Sequence, residues 1–250
     1  MASSPLNLNS HRVQITVIFP AFNEAESIRR TLGRALGALR AQFNTFEILI
    51  VDDASRDETG RIADELAAEN SEIRVFHHSR NQGAGQAFFT GLEHARGEFL
   101  IHNAIDYPFD LDDLPLLMGP MEDADVVVAA RKRRAGYSGY RILTSVVNRW
   151  LLHLLFDLHL ADYNFTQLYR KAVLDSIRVE SRGTAFVTPE ILIRAHAAGF
   201  RIKEVEIEYH PRIIGVATSG KPRVIIASLH GMFRLWCSMR SHCKTGAKKD

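Results

Sequence analysis

The stretch FEILIVDDASRDET, Phe46 to Thr59, decides how this chain is read. Phe46, Ile48, Leu49, Ile50 and Val51 make an apolar run suited to a strand buried on both faces, the pattern of a central parallel strand covered by helices. The run breaks at Asp52 and Asp53. Ser55, followed three residues later by Glu58, reads as a capping box that starts a helix with Ile62, Ala63 and Leu66 turned inward. Two carboxylates therefore stand at a strand's carboxyl end, where open α/β sheets bind ligands. A solvated strand-to-helix loop is the other reading this stretch allows.

The flanking sequence repeats the pattern. Val13 to Phe19 reads as a first strand stopped by Pro20. Asn23 with Glu26 then caps a helix whose Ile28, Leu32, Leu36 and Leu39 share one face. Ile73 to His77 is a third strand, leading through RNQGAGQAFFTGLEHARG, where Gly83 and Gly85 allow close backbone approach ahead of a helix carrying Ala87, Phe88, Leu92 and Ala95. Strands over Glu98 to Asn103 and Asp125 to Arg131 follow, separated by the acidic loop Asp106 to Asp113. This βαβα order predicts an α/β fold, a doubly wound, mostly parallel sheet with right-handed crossovers and helices on both faces.

The second half is less regular. Tyr140 to Leu160 suits one long or two short amphipathic helices, with Trp150 among leucines, facing either the core or a lipid surface. Tyr163 to Tyr169 reads as a strand, Pro189 to Ala198 as a helix with Pro in its first turn, and Arg201 to Tyr209 as a strand with one wet face. Val224 to Met239 reads as a closing helix with Ile225, Leu229, Met232, Phe233 and Trp236 on one side. The expected organisation is a leader over 1–12, one domain over 13–238 and a basic tail over 239–250.

Composition narrows the function classes. Thirty-one Lys and Arg against 29 Asp and Glu give a net charge of +2, too balanced for a nucleic-acid binder. Two cysteines, Cys237 and Cys243, make no disulfide framework and fit a reducing cytoplasmic setting. No apolar run reaches the roughly 18 residues of a spanning helix, and the N terminus has no signal core. A peripheral membrane position remains open, with bases at 131–134 and in the tail to meet anionic lipid.

The strand ends deliver, in order, Pro20-Ala21-Phe22-Asn23-Glu24, Asp52-Asp53, Arg80 to Gly85, and Asp106. Acids for base or ribose hydroxyls, a carboxylate for a divalent ion and an arginine near phosphate suit a nucleotide. Neither a dinucleotide fingerprint nor a Walker A sequence is present.

These stretches, VIFPAFNEAESI, EILIVDDASRDET, RNQGAGQAFFTGL, GEFLIHNAIDYPFDLDDLP, GFRIKEVEIEYHPR and SGKPRVI, resemble glycosyltransferase family 2, and within it the dolichyl- or polyprenyl-phosphate sugar transferases. The resemblance implies a GT-A fold, an inverting single displacement and a nucleotide-diphosphate sugar donor, GDP- or UDP-linked. By motif position, Pro20, Ala21, Asn23, Glu24, Asp52 and Asp53 would hold the nucleoside, with Arg80 and Gly83 completing the donor site. Asp106 would be the metal-linked acid, and Arg131, Arg212 and Lys221 would be cations directed at phosphate.

Two departures stand out. The family's D-x-D triplet falls on Ala104-Ile105-Asp106, leaving one acid, so Mg2+ or Mn2+ should bind weakly without nucleotide; Asn103 or Asp110 is a candidate extra ligand. ADYNFTQLYRK matches the lipid-phosphate enzymes' acceptor signature only loosely. A lipid-phosphate acceptor is already anionic and needs no base, whereas a hydroxyl acceptor does, and Glu190 is the candidate. The leading expectation is transfer to a polyprenyl phosphate at the cytoplasmic membrane face. The alternatives are a soluble or polymeric hydroxyl acceptor, or a degraded nucleotide-sugar binding subunit working with a membrane-anchored partner.

Overall fold

The computed structural model describes residues 13–132, 139–181, 186–208 and 222–246. In chain order the elements are β1 (Ile15–Ala21), α1 (Ile28–Gln42), β2 (Phe46–Asp52), α2 (Thr59–Glu69), β3 (Ile73–His77), α3 (Ala84–His94), β4 (Phe99–His102), α4 (Leu114–Met118) and β5 (Val126–Arg131). There follow α5 (Gly139–Phe156), β6 (Gln167–Arg170), α6 (Lys171–Ser176), α7 (Val187–Ala197), β7 (Ile202–Ile207) and α8 (Pro222–Gly246). The described residues form two compact units, one of those up to Pro115 with Leu168–Ala172 and one of those in Leu116–Gln167 and from Val173 onward. The strands are mostly parallel, as expected of a GT-A fold.

In the first unit the strand order is β3-β2-β1-β4-β6, with β6 antiparallel to β4 and the other pairings parallel. Ile48, Leu49, Ile50 and Val51 are wholly buried, which is why β2 carries no alternation. On α1, Ile28, Leu32, Leu36 and Leu39 form the inward stripe. Each such Leu or Ile contributes roughly 1.5–3 kcal/mol by leaving water. Of the residues expected inward on α2, Ala63 and Leu66 are buried and Ile62 is half-buried.

One buried acid knits the unit together. The Glu47 carboxylate accepts from Thr16 Oγ1 at 2.8 Å, Arg96 N–H at 2.6 Å and Arg74 at 3.0 Å. Gly97 lies so close to Thr16 that a Cβ there would sit 2.5 Å from the Thr16 nitrogen, so glycine is required.

Several expected boundaries shift for physical reasons. Pro20 does not stop β1, which runs through it to Ala21. The Ile18 carbonyl accepts from Asn103 N–H on the β4 side and the Ala21 carbonyl from Asp53 N–H on the β2 side. By alternation Pro20 faces β4, whose register with β1 ends at Ile18, so its missing N–H has no ladder to break. The two capping boxes are also absent: α1 starts after Ser27 and α2 after Glu58, neither with a side-chain cap. Asn23 and Ser55 are spent on each other's loops instead.

In the second unit β5 pairs with β7 in parallel, from Val126 opposite Ile202 to Arg131 opposite Ile207. The apolar stretch after β5 is one helix, α5. The expected strand over Tyr163 to Tyr169 is only β6, because Tyr163 to Phe165 form bends. The expected inward face of α8 is rotated. Met232 and Leu235 are buried while Leu229 and Phe233 are exposed. Gly231 sets that face: a Cβ on it would meet the Phe186 ring at 3.1 Å, so α8 packs through its glycine side.

Candidate active site

The strand order of the first unit reverses direction between β1 and β4, and the carboxyl ends of the parallel strands β1, β2 and β4 lie along one edge of the sheet, where such sheets bind ligands. Two loops there are tied by hydrogen bonds in both directions. Asn23 N–H donates to Ser55 Oγ at 3.0 Å, and Asn23 Oδ1 accepts from Arg56 N–H at 2.8 Å. Glu24 N–H donates to Thr59 Oγ1 at 2.7 Å, and Ala25 N–H to Asp57 Oδ2 at 3.2 Å. Asn23 and Ala54 hold positive φ values of 56° and 61°, a conformation the cross-loop bonds stabilise. The loop bearing Pro20, Ala21, Asn23 and Glu24 is thus pre-set by the start of α2.

Asp52 is the last residue of β2 and Asp53 follows it, as the sequence predicts. The Asp52 carboxylate accepts from Ser55 N–H at 3.0 Å and pairs with His77 Nδ1 at 3.0 Å. His77 also reaches Asp64 at 3.1 Å. Burial lowers the His77 pKa, but the bonds to Asp52 and Asp64 and their charges outweigh it, so the net shift is upward.

Asp53, only 3 % exposed, accepts from Gln82 N–H at 2.8 Å, Gly83 N–H at 2.7 Å and His78 Nδ1 at 2.7 Å. Its carboxylate therefore fixes the glycine loop, with His78 braced in turn by Thr90 Oγ1 at 2.9 Å. Gly83 has φ 89°, which requires glycine, and it precedes the first turn of α3. Arg80, on the same loop, is exposed and has no ion-pair partner among the described residues.

The two histidines are the site residues that sequence reasoning passed over. A signal was present: β2 and β3 pair Asp52 with His77, so the doublet Asp52-Asp53 lies beside the doublet His77-His78 in parallel register.

The loop after β4 carries Asp106, which is half-buried. Asn103, a candidate extra metal ligand, has its amide engaged by the protein itself. Its Nδ2 donates to the Phe109 carbonyl at 2.7 Å and its Oδ1 accepts from Ala104 N–H at 3.1 Å, inside the core. Asp110 is likewise engaged, accepting from Asp112 N–H at 3.2 Å and pairing with Arg34 at 2.8 Å. The Arg34 guanidinium also stacks on the Tyr107 ring, 4.7 Å from its centre. His102 packs edge-on against Phe88, and burial lowers its pKa to about 4, so it is neutral at pH 7.

Among the described residues no group of three or more His, Cys, Asp or Glu is arranged to hold a metal. One carboxylate fits a divalent ion only as one ligand among waters and diphosphate oxygens. The residues present are compatible with an ion that arrives with its nucleotide.

In the second unit, Arg131 ends β5, donates through Nε to Asp162 at 2.6 Å and stacks on Phe165, 4.9 Å from the ring centre. Glu190 is 1 % exposed. It accepts from Glu180 N–H at 3.0 Å, Ser181 N–H at 2.8 Å and Arg194 Nε at 2.6 Å. Burial raises its pKa, but the bonds from Ser181, Glu180 and Arg194 prevail and hold it below the usual carboxylate range. A buried acid so held is a strut for the 180–181 loop and a weak proton acceptor. Arg212 and Lys221 lie outside the described residues.

The Glycosyl transferase family 2 model matches residues 16–183. The undecaprenyl-phosphate mannosyltransferase of Micrococcus luteus is 31 % identical over 216 residues, covering 81 % of this chain and 86 % of that protein. The glycosyltransferase AglD of Haloferax volcanii is 29 % identical over 213 residues, 80 % of this chain, which spans only 34 % of AglD's length. A crystal structure of glucosyl-3-phosphoglycerate synthase from Mycobacterium tuberculosis with Mn2+, UDP and phosphoglyceric acid superposes with a TM-score of 0.68 at 20 % identity, covering 91 % of this chain and 79 % of that one. On the family match and the mannosyltransferase likeness together, this chain belongs to glycosyl transferase family 2.

Proposed function

We propose that the chain transfers a sugar, with inversion, from a GDP- or UDP-sugar to a polyprenyl phosphate at the cytoplasmic face of a membrane. It would reach that face directly or through a membrane-anchored partner. The acceptor phosphate oxygen forms a bond to the sugar's anomeric carbon as the bond to the diphosphate breaks, and the nucleoside diphosphate leaves with the electron pair. No proton changes hands.

In this reading Pro20, Ala21, Asn23, Glu24 and Asp52 form the nucleoside site. Asp53 keeps the backbone of Gln82 and Gly83 in place, with Arg80 free to meet the diphosphate. Asp106 would hold Mg2+ or Mn2+ carried in by the nucleotide, whose role is to neutralise charge on the departing diphosphate. Arg131, Arg212 and Lys221 are assigned to the acceptor phosphate.

The observation that carries the choice of acceptor is Glu190. It is the acid that the sequence offers as a base, and its hydrogen bonds hold it charged and occupied. A hydroxyl acceptor needs a base, whereas a phosphate monoester does not. The M. luteus relative's name supports the same acceptor class. A hydroxyl acceptor is the second reading, favoured by the phosphoglycerate-named structural neighbour. A binding subunit without activity is the third, motivated by Ala104.

The test is incubation of the purified chain with labelled GDP- or UDP-sugars, Mg2+ or Mn2+ and undecaprenyl phosphate, followed by solvent extraction. Acceptor-dependent label in the organic phase is the expected result. Neither transfer nor donor hydrolysis with any donor would favour the binding subunit.

A further inference from the structure

The described residues contain no helix long and apolar enough to cross a membrane, yet the second unit turns large apolar side chains outward on two helices. On α5, Val146, Val147, Trp150 and Leu154 recur along one side, with Trp150 60 % and Leu154 64 % exposed. Among the described side chains of that helix the buried one is Leu152, on another side. On α8, Ile226, Leu229 and Phe233 form a stripe at helical spacing, with Ile226 66 % and Phe233 61 % exposed. Trp236 adjoins Phe233, and the Arg240 guanidinium lies 4.1 Å from the centre of its indole. The two helices touch one another within this unit. Each is thus apolar on an outward side while a separate side already serves the core.

Charge says what covers these faces. Residues 126–156 and 209–249, which include both helices, hold 14 of the chain's 31 Lys and Arg and none of its 29 Asp and Glu. Elsewhere the chain carries 17 bases against 29 acids. Leaving aside Arg131, Arg212 and Lys221, which are assigned to the acceptor phosphate, eleven bases and no acid remain in the sequences that contain the exposed Trp, Phe, Leu and Ile. Arg234 pairs with Glu180, but Trp150 and Leu154 beside Arg149, and Phe233 and Trp236 beside Arg240, match an anionic bilayer surface: rings and aliphatic chains enter the acyl boundary and the bases meet headgroups. A second copy of the same face would be repelled by its own charge. The pocket of about 480 Å³ on α5 has the same character, since Val146, Trp150 and Leu160 wall it together with Arg149, His153 and His159.

We propose that the outward faces of α5 and α8 are a docking surface for an anionic lipid bilayer. This sharpens the membrane placement given above, but it rests on exposure and charge and does not require sugar transfer.

The test is sedimentation of the purified chain with neutral phosphatidylcholine vesicles and with vesicles containing about a third phosphatidylglycerol, without donor or acceptor. Binding is expected to the anionic vesicles at low salt, at least tenfold weaker to neutral ones, and lost near molar salt. Two double variants, Trp150→Ser with Leu154→Ser and Ile226→Ser with Phe233→Ser, change only exposed side chains. Each should keep the wild-type thermal midpoint and transfer to a short water-soluble isoprenyl phosphate, while vesicle binding falls at least tenfold. Arg240→Gln with Lys244→Gln should reduce the salt dependence. Failure of the wild-type chain to bind anionic vesicles at any salt, or double variants that bind as tightly as wild type, would overturn the proposal. So would a wild-type dimer in sedimentation equilibrium that the double variants abolish, since a second copy would then be the occupant. A wild-type chain that binds anionic vesicles as expected but transfers no sugar would instead count against the acceptor reading alone.

Discussion

The two units expose opposite kinds of surface. In the first, the exposed edge is polar and held rigid from within: Asn23 and Glu24 are bonded to Ser55, Arg56 and Thr59, and Asp53 anchors the backbone of Gln82 and Gly83. In the second, the Glu190 and Arg131–Asp162 clusters are buried, while Trp150, Leu154 and Phe233 face solvent. A site for a soluble, highly charged donor gains from prepaid ordering of its loops. A surface for an insoluble acceptor gains from apolar exposure that a soluble partner would not need. The contrast is what the proposed transfer from a soluble donor to a lipid acceptor would require.

The contrast breaks most readily at Glu190. Glu190→Ala leaves two N–H groups without their acceptor and Arg194 with only its longer pair to Glu180, and should cost about 3 kcal/mol of stability, read as a lowered denaturation midpoint. Glu190→Gln separates roles. It should lower stability while changing transfer by less than about threefold, since no proton is passed; a fall of about 100-fold at unchanged stability would restore Glu190 as a base.

Next comes Asp106. Asp106→Asn should reduce transfer about 100-fold, corresponding to roughly 3 kcal/mol of transition-state stabilisation, and should weaken the metal dependence of donor binding. Unchanged turnover in EDTA would remove the ion from the account.

Asp53→Ala sharpens the comparison from the donor side. Because its oxygens hold protein groups, its loss should loosen the Gly83 loop and weaken nucleotide binding about tenfold in calorimetry, near 1.4 kcal/mol. His78→Ala should do the same in milder form. An Asp53→Ala protein with wild-type affinity would mean the loop is held by other contacts.

The smallest effect expected is that of pH. His77 has a folded pKa raised above its ordinary value of 6.5 by Asp52 and Asp64. Its contribution to stability is thus fully present below the unfolded pKa and is lost as pH rises through the folded one. Wild type should therefore lose a little stability from pH 6 towards pH 8 relative to His77→Gln, measured by denaturant midpoints. A difference that grows with rising pH would have the wrong sign.

Much of the first unit was legible because apolar runs and punctuating acids are local signals. The strands ending at Asp52 and His77 and the face carrying Ile28, Leu32, Leu36 and Leu39 follow from periodicity alone. Caps were misread because Asn23 and Ser55 suit a helix start locally, yet their partners lie 32 and 33 residues away in sequence. Such a bond depends on register between strands, which no single segment encodes. The role of Asp53 was blurred for the same reason, as its partners belong to the loop after β3. On α8 the composition was apolar on more than one side, and the choice fell to Gly231 against Phe186, a steric detail that hydrophobicity does not reveal.

The most direct test offers the purified chain two short acceptors that differ only at the head, an isoprenyl phosphate and the matching isoprenol, with its preferred nucleotide sugar and metal. The account predicts sugar transfer to the phosphate and none to the alcohol, in wild type and in Glu190→Gln alike. Glycosylation of the alcohol, abolished by Glu190→Gln, would contradict it.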